Sequence, residues 1–206
     1  MHDTPRPHDL LWGMPPAQLP ADAPAWARQV LAAGQPVVVR RAVVADGQIA
    51  VGVRGATREQ RFAARMRCES VISRVRPEQL VARLPDSRLP ALLALHRLHP
   101  LLDSLGLAWG VTGSVGYQLG SGVAVVSAES DLDLLLRTPT VFSRSEAREL
   151  QQLLDRVPCR VDLQLDTPSG AVALREWAGD SARVLLKCAT GARLIDDPWD
   201  QAERAA

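Results

Sequence analysis

The chain has 206 residues, of which 47% are hydrophobic and 23% charged, with a formal net charge of +1. That composition is globular and excludes a mostly disordered chain, and the near-zero charge offers no general attraction to nucleic acid. The charge is unevenly spread: the first hundred residues hold fourteen arginines against eight acids, and the remainder holds ten basic residues against fifteen acids. Such a split predicts two units facing different chemical groups. Three cysteines without a Cys-x-x-Cys pair exclude a disulfide framework or a zinc cluster and fit a reducing compartment. No stretch reaches the ~18 apolar residues of a membrane span and the start lacks a signal-peptide pattern, so the expectation is a soluble, cytoplasmic chain.

In chain order, the first twenty-four residues contain six prolines and read as an irregular lead-in. A short helix is expected over 25–33, closed by Gly34. Strands follow at 36–40 and 49–53 around an Asp46-Gly47 turn. From 57 to 67, Arg58, Arg61 and Arg65 recur at spacings of three and four. This predicts a helix with three guanidinium groups on one face and Arg54 close by. A strand at 70–75 and a helix from Pro77 precede a break at Arg83-Leu84-Pro85-Asp86, where the domain boundary is placed (1–85 and 86–206). Beyond it come a leucine-rich helix over 89–105, a strand at 107–111 and a helix opened by Gly113-Ser114. A strand is then expected at 130–136 and an amphipathic helix at 145–157, capped by Ser143 or Ser145. Alternation at 160–166 predicts a half-buried strand, and a helix near 171–177 and a strand at 183–188 finish the unit. The expected class is α+β: a small N-terminal αβ module, then a domain with a mixed sheet flanked by helices.

Three features of the second half combine into a chemical site. Asp131 and Asp133 are two apart on one predicted strand, which places their α-carbons ~7 Å apart on the same face. Asp162 sits on another. Adjacent carboxylates repel unless a cation lies between them, and hard oxygen ligands of this kind suit magnesium together with substrate phosphates. Three of them would serve two ions ~3.5–4 Å apart, the arrangement of in-line phosphoryl displacement. Gly113 and Ser114 supply the complement: glycine admits a phosphate close to the backbone, and the serine hydroxyl and free helix-start amides donate to it. A haloacid-dehalogenase-type phosphatase would want Thr or Val where Leu135 stands. A glycosyltransferase metal motif would leave Gly113, Ser114 and Asp162 without a use.

Other residues carry plainer readings. Asp166, before Thr167-Pro168-Ser169-Gly170, reads as a turn residue. His96 and His99 read as helix surface, since no third metal ligand is evident. Composition leaves His8 open between a functional and a merely polar role. The arginines Arg58, Arg61 and Arg65, with Arg54 near them, read most simply as a solvated helix face. The sharper readings are a bidentate phosphate site, with Arg58 and Arg61 as donor-binding residues, or a dock for an acidic partner. Lys187, the sole lysine, lies on a late strand from which it could reach a phosphate. With few aromatics, a nucleic-acid groove is not expected.

In order, Gly113-Ser114, Ser130-Asp131-Leu132-Asp133-Leu134 and the later Val161-Asp162-Leu163 resemble the signature of polymerase-beta-like nucleotidyltransferases, although seventeen residues separate Ser114 from Asp131. Pro5 to Trp12, Val51 to Gly55 and Trp109 to Gln118, taken with Ser130 to Leu134, resemble the phosphoribosyl-dephospho-CoA transferases of malonate decarboxylase over nearly the whole chain. The resemblance implies the donor 2'-(5-triphosphoribosyl)-3'-dephospho-CoA and, as acceptor, a serine of the apo acyl-carrier subunit of malonate decarboxylase. It also implies diphosphate release, catalytic Asp131 and Asp133 with Asp162 carried over from the wider superfamily, and two Mg2+ ions. No nucleic acid or membrane partner is expected. The basic first half would orient the carrier or the CoA arm. The other reading is a nucleotidyltransferase using an ordinary NTP.

Overall fold

The computed structural model describes residues 4–82 and 85–200. It holds two β-sheets with helices, an α+β architecture in which each sheet has its own apolar core.

The first sheet is built from β1 (Leu10–Trp12), β2 (Val37–Val39), β3 (Gln48–Arg54), β4 (Arg61–Arg67) and β5 (Ser73–Val75), in the order β4-β3-β2-β1-β5 and antiparallel throughout. Helix α1 (Ala25–Ala32) packs on β3, and Ala27, Leu31, Leu11, Val37, Val51 and Met66 form the dry layer between helix and sheet. Two expectations fail here. The lead-in contains β1, which pairs with both β2 and β5 and so lies inside the sheet; its prolines flank a three-residue strand instead of preventing one. The predicted 57–67 helix is instead a hairpin loop followed by β4. Phe62, Ala64 and Met66 alternate inward while Arg61, Ala63, Arg65 and Arg67 face solvent, which is strand period. A spacing of four fits both periods, so Arg61 and Arg65 still share a face, whereas Arg58 sits in the loop.

The chain then passes through the short α2 (Pro77–Leu80) into α3 (Pro90–Ser104). The expected boundary at 83–86 opens on residues 83 and 84, which lie outside the described residues, and α2 packs against the second sheet. That sheet comprises β6 (Trp109–Val111), β7 (Leu132–Arg137), β8 (Val161–Thr167), β9 (Gly170–Ala173), β10 (Val184–Cys188) and β11 (Gly191–Ile195), ordered β11-β10-β9-β8-β7-β6. Only β7 and β8 run parallel among the described strands, and the crossover joining them is α5 (Arg144–Leu154). A capping box starts α5: Glu146 N–H donates to Ser143 Oγ at 3.2 Å and Ser143 N–H donates back to Glu146 Oε2 at 2.8 Å. The helix expected over 171–177 is strand β9 first, with only α6 (Leu174–Trp177) helical. Leu92, Leu95, Leu134, Leu136, Leu154 and Leu165 are among the buried residues of this larger core.

Helix α4 (Gly113–Ser121) is tied to both sheets. A Cβ at Gly116 would run into the β6 backbone, and one at Gly120 into the Leu10 side chain of β1, so the glycine-rich stretch seats the helix tightly against its neighbours. The Tyr117 hydroxyl donates to Gln35 Oε1 of the first unit at 3.1 Å. A second tie uses Asp166, which is a half-buried residue of β8 and not the expected turn residue. It takes Arg41 of the first unit at 2.8 Å and Arg137 of β7 at 2.7 Å, and Arg137 also holds Glu78 of α2 at 2.8 Å. The turn expected there begins one residue later, where Thr167 Oγ1 donates to Gly170 O.

Candidate active site

The strand register brings the sequence-predicted carboxylates together. Asp133 of β7 stands directly across from Asp162 of β8 in the parallel pair, and neighbouring strands lie only ~4.8 Å apart. Asp131 comes two residues earlier, just before β7 begins. The β6 strand ends beside them: Thr112 N–H donates to the Asp133 carbonyl at 2.9 Å, which carries Gly113 alongside the Asp133 side chain. Gly113 has φ +60°, and any Cβ there would overlap the Asp133 carboxylate. The residue type is thus dictated twice, by backbone conformation and by the closeness of an acid.

A cleft of about 410 Å³ opens over these groups, lined by Ser114, Asp131, Asp133, Asp162, Arg58 and Arg61 among others. Burial pushes the Asp133 carboxyl up to about 6, and the nearby Asp162 and Asp131 push it the same way against Arg54 and Arg58. Asp131 lies 3.9 Å from the Arg58 guanidinium, and Asp162 has Arg160 at 3.0 Å. Arg58 and Arg61 therefore do reach the site, carried there by the β3–β4 hairpin. Gln60 Oε1 pins that hairpin by accepting the Ala56 N–H at 2.8 Å.

Arg65 lies four residues further along β4, on the same strand face as Arg61 but ~13 Å away by strand rise. Lys187 is not brought to the cleft. It is exposed on β10 and paired through Ala171 with the Asp166 level of β8, four residues along that strand from Asp162 and two strands across the sheet. Its separation from the carboxylates is therefore well over ~13 Å, and the expectation that it contacts phosphate there is withdrawn. His96 is exposed on α3 and contacts Pro85 O at 3.0 Å, while His99 faces Asp103 at 3.2 Å and the Trp109 ring.

The sequence placed Arg54 beside the arginine stripe, and the structure gives it a more central position than its neighbours. Arg54, at the end of β3, is only 7% exposed, its Nε has no hydrogen-bond partner among the described residues, and its guanidinium lies 5.6 Å from the centre of the Tyr117 ring. It lines the cleft, and burial lowers it to about 10.

The donor chemistry fits a divalent cation: the acids offer hard carboxylate oxygens, and their crowding is a repulsion such an ion would relieve. Among the described residues no three His, Cys, Asp or Glu side chains form a ready-made metal cage. A cation here would thus take further ligands from substrate phosphate and water, as magnesium commonly does.

Comparison with known proteins separates the readings left open by this geometry. Residues 6–77 match the family model described as the phosphoribosyl-dephospho-CoA transferase MdcG N-terminal domain, and residues 79–198 match that of its C-terminal domain. The chain belongs to the phosphoribosyl-dephospho-CoA transferase family. It is a transferase of that class. A phosphoribosyl-dephospho-CoA transferase of Pseudomonas putida strain W619 is 61% identical over 202 residues, covering 98% of each chain. Those of Pseudomonas fluorescens strain Pf0-1 and Azotobacter vinelandii are each 58% identical, covering 100% of both chains in the first case and 97% and 98% in the second. No solved structure matches. Among the described residues, no helix is long and apolar enough to cross a membrane.

Proposed function

We propose that the protein moves 2'-(5-phosphoribosyl)-3'-dephospho-CoA from its triphosphate donor to a serine hydroxyl of the apo acyl-carrier subunit of malonate decarboxylase, releasing diphosphate, in the cytoplasm. The observation that carries this reading is the facing of Asp131, Asp133 and Asp162 with the Gly113-Ser114 helix start in one cleft. In the proposed step the serine oxygen attacks the α-phosphorus and the bond from that phosphorus to the bridging oxygen breaks. Diphosphate leaves with the bonding electrons, and the hydroxyl proton passes to a carboxylate.

Asp162, the more exposed acid opposite Asp133, takes that proton; a serine hydroxyl is a weak nucleophile without such a base. Ser114 and the amides at the start of α4 hold the phosphate oxygens, which fixes the line of attack. Arg58 and Arg61 face charge that grows on the leaving diphosphate. Asp131 and Asp133, with Asp162 beside them, would hold Mg2+, two ions in the full arrangement. When bound, the metal would supply neutralisation of phosphate charge.

The test is the mass of purified apo carrier after incubation with the protein, Mg2+ and either the triphosphoribosyl donor or ordinary NTPs. A mass gain equal to the prosthetic group is expected from the former alone. Asp131→Asn and Asp133→Asn should each abolish it, with a loss of ~10²-fold or more. Transfer of a nucleotide from an NTP in its place would favour the general nucleotidyltransferase reading, and full activity of either Asn variant would overturn the site assignment.

A further inference from the structure

The cleft shares Arg54 and Arg61 with a second cavity, which shares Arg40 and Ala63 with a third, so the three line up as one groove over the face of the first sheet turned away from α1. Strand register sorts the side chains of this face into rows. Arg54 lies across from Arg61; the next row is Val38, Gly52 and Ala63; the row after it sets Ala50 across from Arg65, with Arg40 N–H bonded to the Ala50 carbonyl. Rows are two residues apart, about 7 Å at strand rise. Along the groove the surface thus runs from cationic through small and apolar to cationic again. The apolar row floors a separate cavity of about 400 Å³, bordered by Arg54 and Arg61 on one side, Arg40 on the other and Gly113 below. Such a volume falls in the range of small-molecule sites. Past Arg40 the groove widens into a trough of about 590 Å³ with Arg65 and Arg67 on its wall.

Resting on the function proposed above, we infer that this groove seats the dephospho-CoA half of the donor, with the nucleoside over Val38, Gly52 and Ala63 and its 5'-diphosphate between Arg40 and Arg65. The donor has two anionic groups, the triphosphate and the CoA diphosphate, separated by two linked riboses, the inner of which carries the base as a branch. That order of charge matches the order of rows. Arg54 stands where the halves meet: it lines both cavities, is nearly buried, and keeps an unpartnered Nε that a phosphate or ribose oxygen would satisfy. The small floor is needed as well. A Cβ on Gly52 would already stand 3.4 Å from the Arg40 side chain, so a larger residue would fill the space a planar base would use. An ordinary NTP has only one polyphosphate and would leave the Arg40–Arg65 row without an anion, which gives the groove a basis for choosing its donor.

The test is calorimetric titration of the full chain, with Mg2+, by 3'-dephospho-CoA, which lacks the triphosphate, and by inorganic tripolyphosphate, which has nothing else. Ala63→Trp fills the apolar row, and Arg65→Glu reverses the outer cation. Each should weaken dephospho-CoA by about tenfold or more while tripolyphosphate stays within about twofold of the parent, which also reports intact folding. Unchanged dephospho-CoA affinity in both variants overturns the inference. So does an Arg65→Glu chain that loses affinity for the apo carrier but not for dephospho-CoA, because the trough would then be a protein-docking surface. Transfer assays on the parent chain separate the two levels: if the carrier is modified but dephospho-CoA binding ignores both variants, the groove assignment fails alone. If no carrier is modified and dephospho-CoA does not bind, both fail.

Discussion

Replacing Gly113 by alanine tests the site most directly, because the substitution adds one methyl group at a place where two costs can be separated. The first cost is conformational. At φ +60° an L-residue is disfavoured by roughly 1–2 kcal/mol. The second is steric, since the new Cβ would overlap the Asp133 carboxylate and push it off its position across from Asp162. Gly34 provides the control. Its φ is +69°, yet a Cβ there meets nothing within 4 Å among the described residues, so Gly34→Ala carries the conformational cost alone.

Gly34→Ala should therefore unfold at a temperature lower by about 2–8 °C, taking ~2–4 °C per kcal/mol for a chain of this size, and Gly113→Ala by at least as much. Only Gly113→Ala should lose catalysis. Displacing a reacting group by about 1 Å can cost ~10²-fold, and an acid displaced by a methyl group moves at least that far. Thermal unfolding followed by circular dichroism and the rate of carrier modification by mass spectrometry give the two readouts. The reasoning is refuted if Gly113→Ala keeps more than about a third of parental activity, or if Gly34→Ala loses as much as Gly113→Ala does.

Two further predictions concern the scaffold. Burial, with Arg41 and Arg137 adding to it against Asp166, lowers His8 to about 4, so the native state resists its protonation. The unfolded chain takes that proton first; stability should fall as pH drops from about 6.5 towards 4, by up to about 3 kcal/mol. His8→Asn tolerates the φ of 76° and should flatten that part of the urea-unfolding profile, whereas identical slopes would exclude His8 as the source. Leu11 of β1 is fully buried, and Leu11→Ala should cost about 2–5 kcal/mol in the same assay; a cost below about 1 kcal/mol would show that β1 is peripheral.

The site was more legible in the sequence than its surroundings. Acids two apart near a strand start, a third acid in another apolar run and a Gly-Ser turn after a strand are local patterns, and the parallel β7–β8 register turns them into neighbours. What failed depended on partners distant in the chain. The spacing of Arg61 and Arg65 is shared by helix and strand, and only the inward alternation of Phe62, Ala64 and Met66, together with pairing to β3, decides for the strand. β1 is too short to show periodicity and owes its existence to β2 and β5. Asp166 looked like the first residue of a turn because its attachments, Arg41 and Arg137, are far away in sequence. The Gly191–Ile195 strand carries no apolar alternation either; it is defined by its hairpin with β10.

The placement of β1 between β2 and β5 bears on how the molecule is made. During synthesis Leu10 to Trp12 leave the ribosome before the other strands of that sheet, but one of their two neighbours, Ser73 to Val75, follows only after all the rest. The earliest strand is thus the last to be flanked on both sides. Until then it presents an open edge to the crowded cell, and a chaperone acting on this chain would have its period of greatest use there.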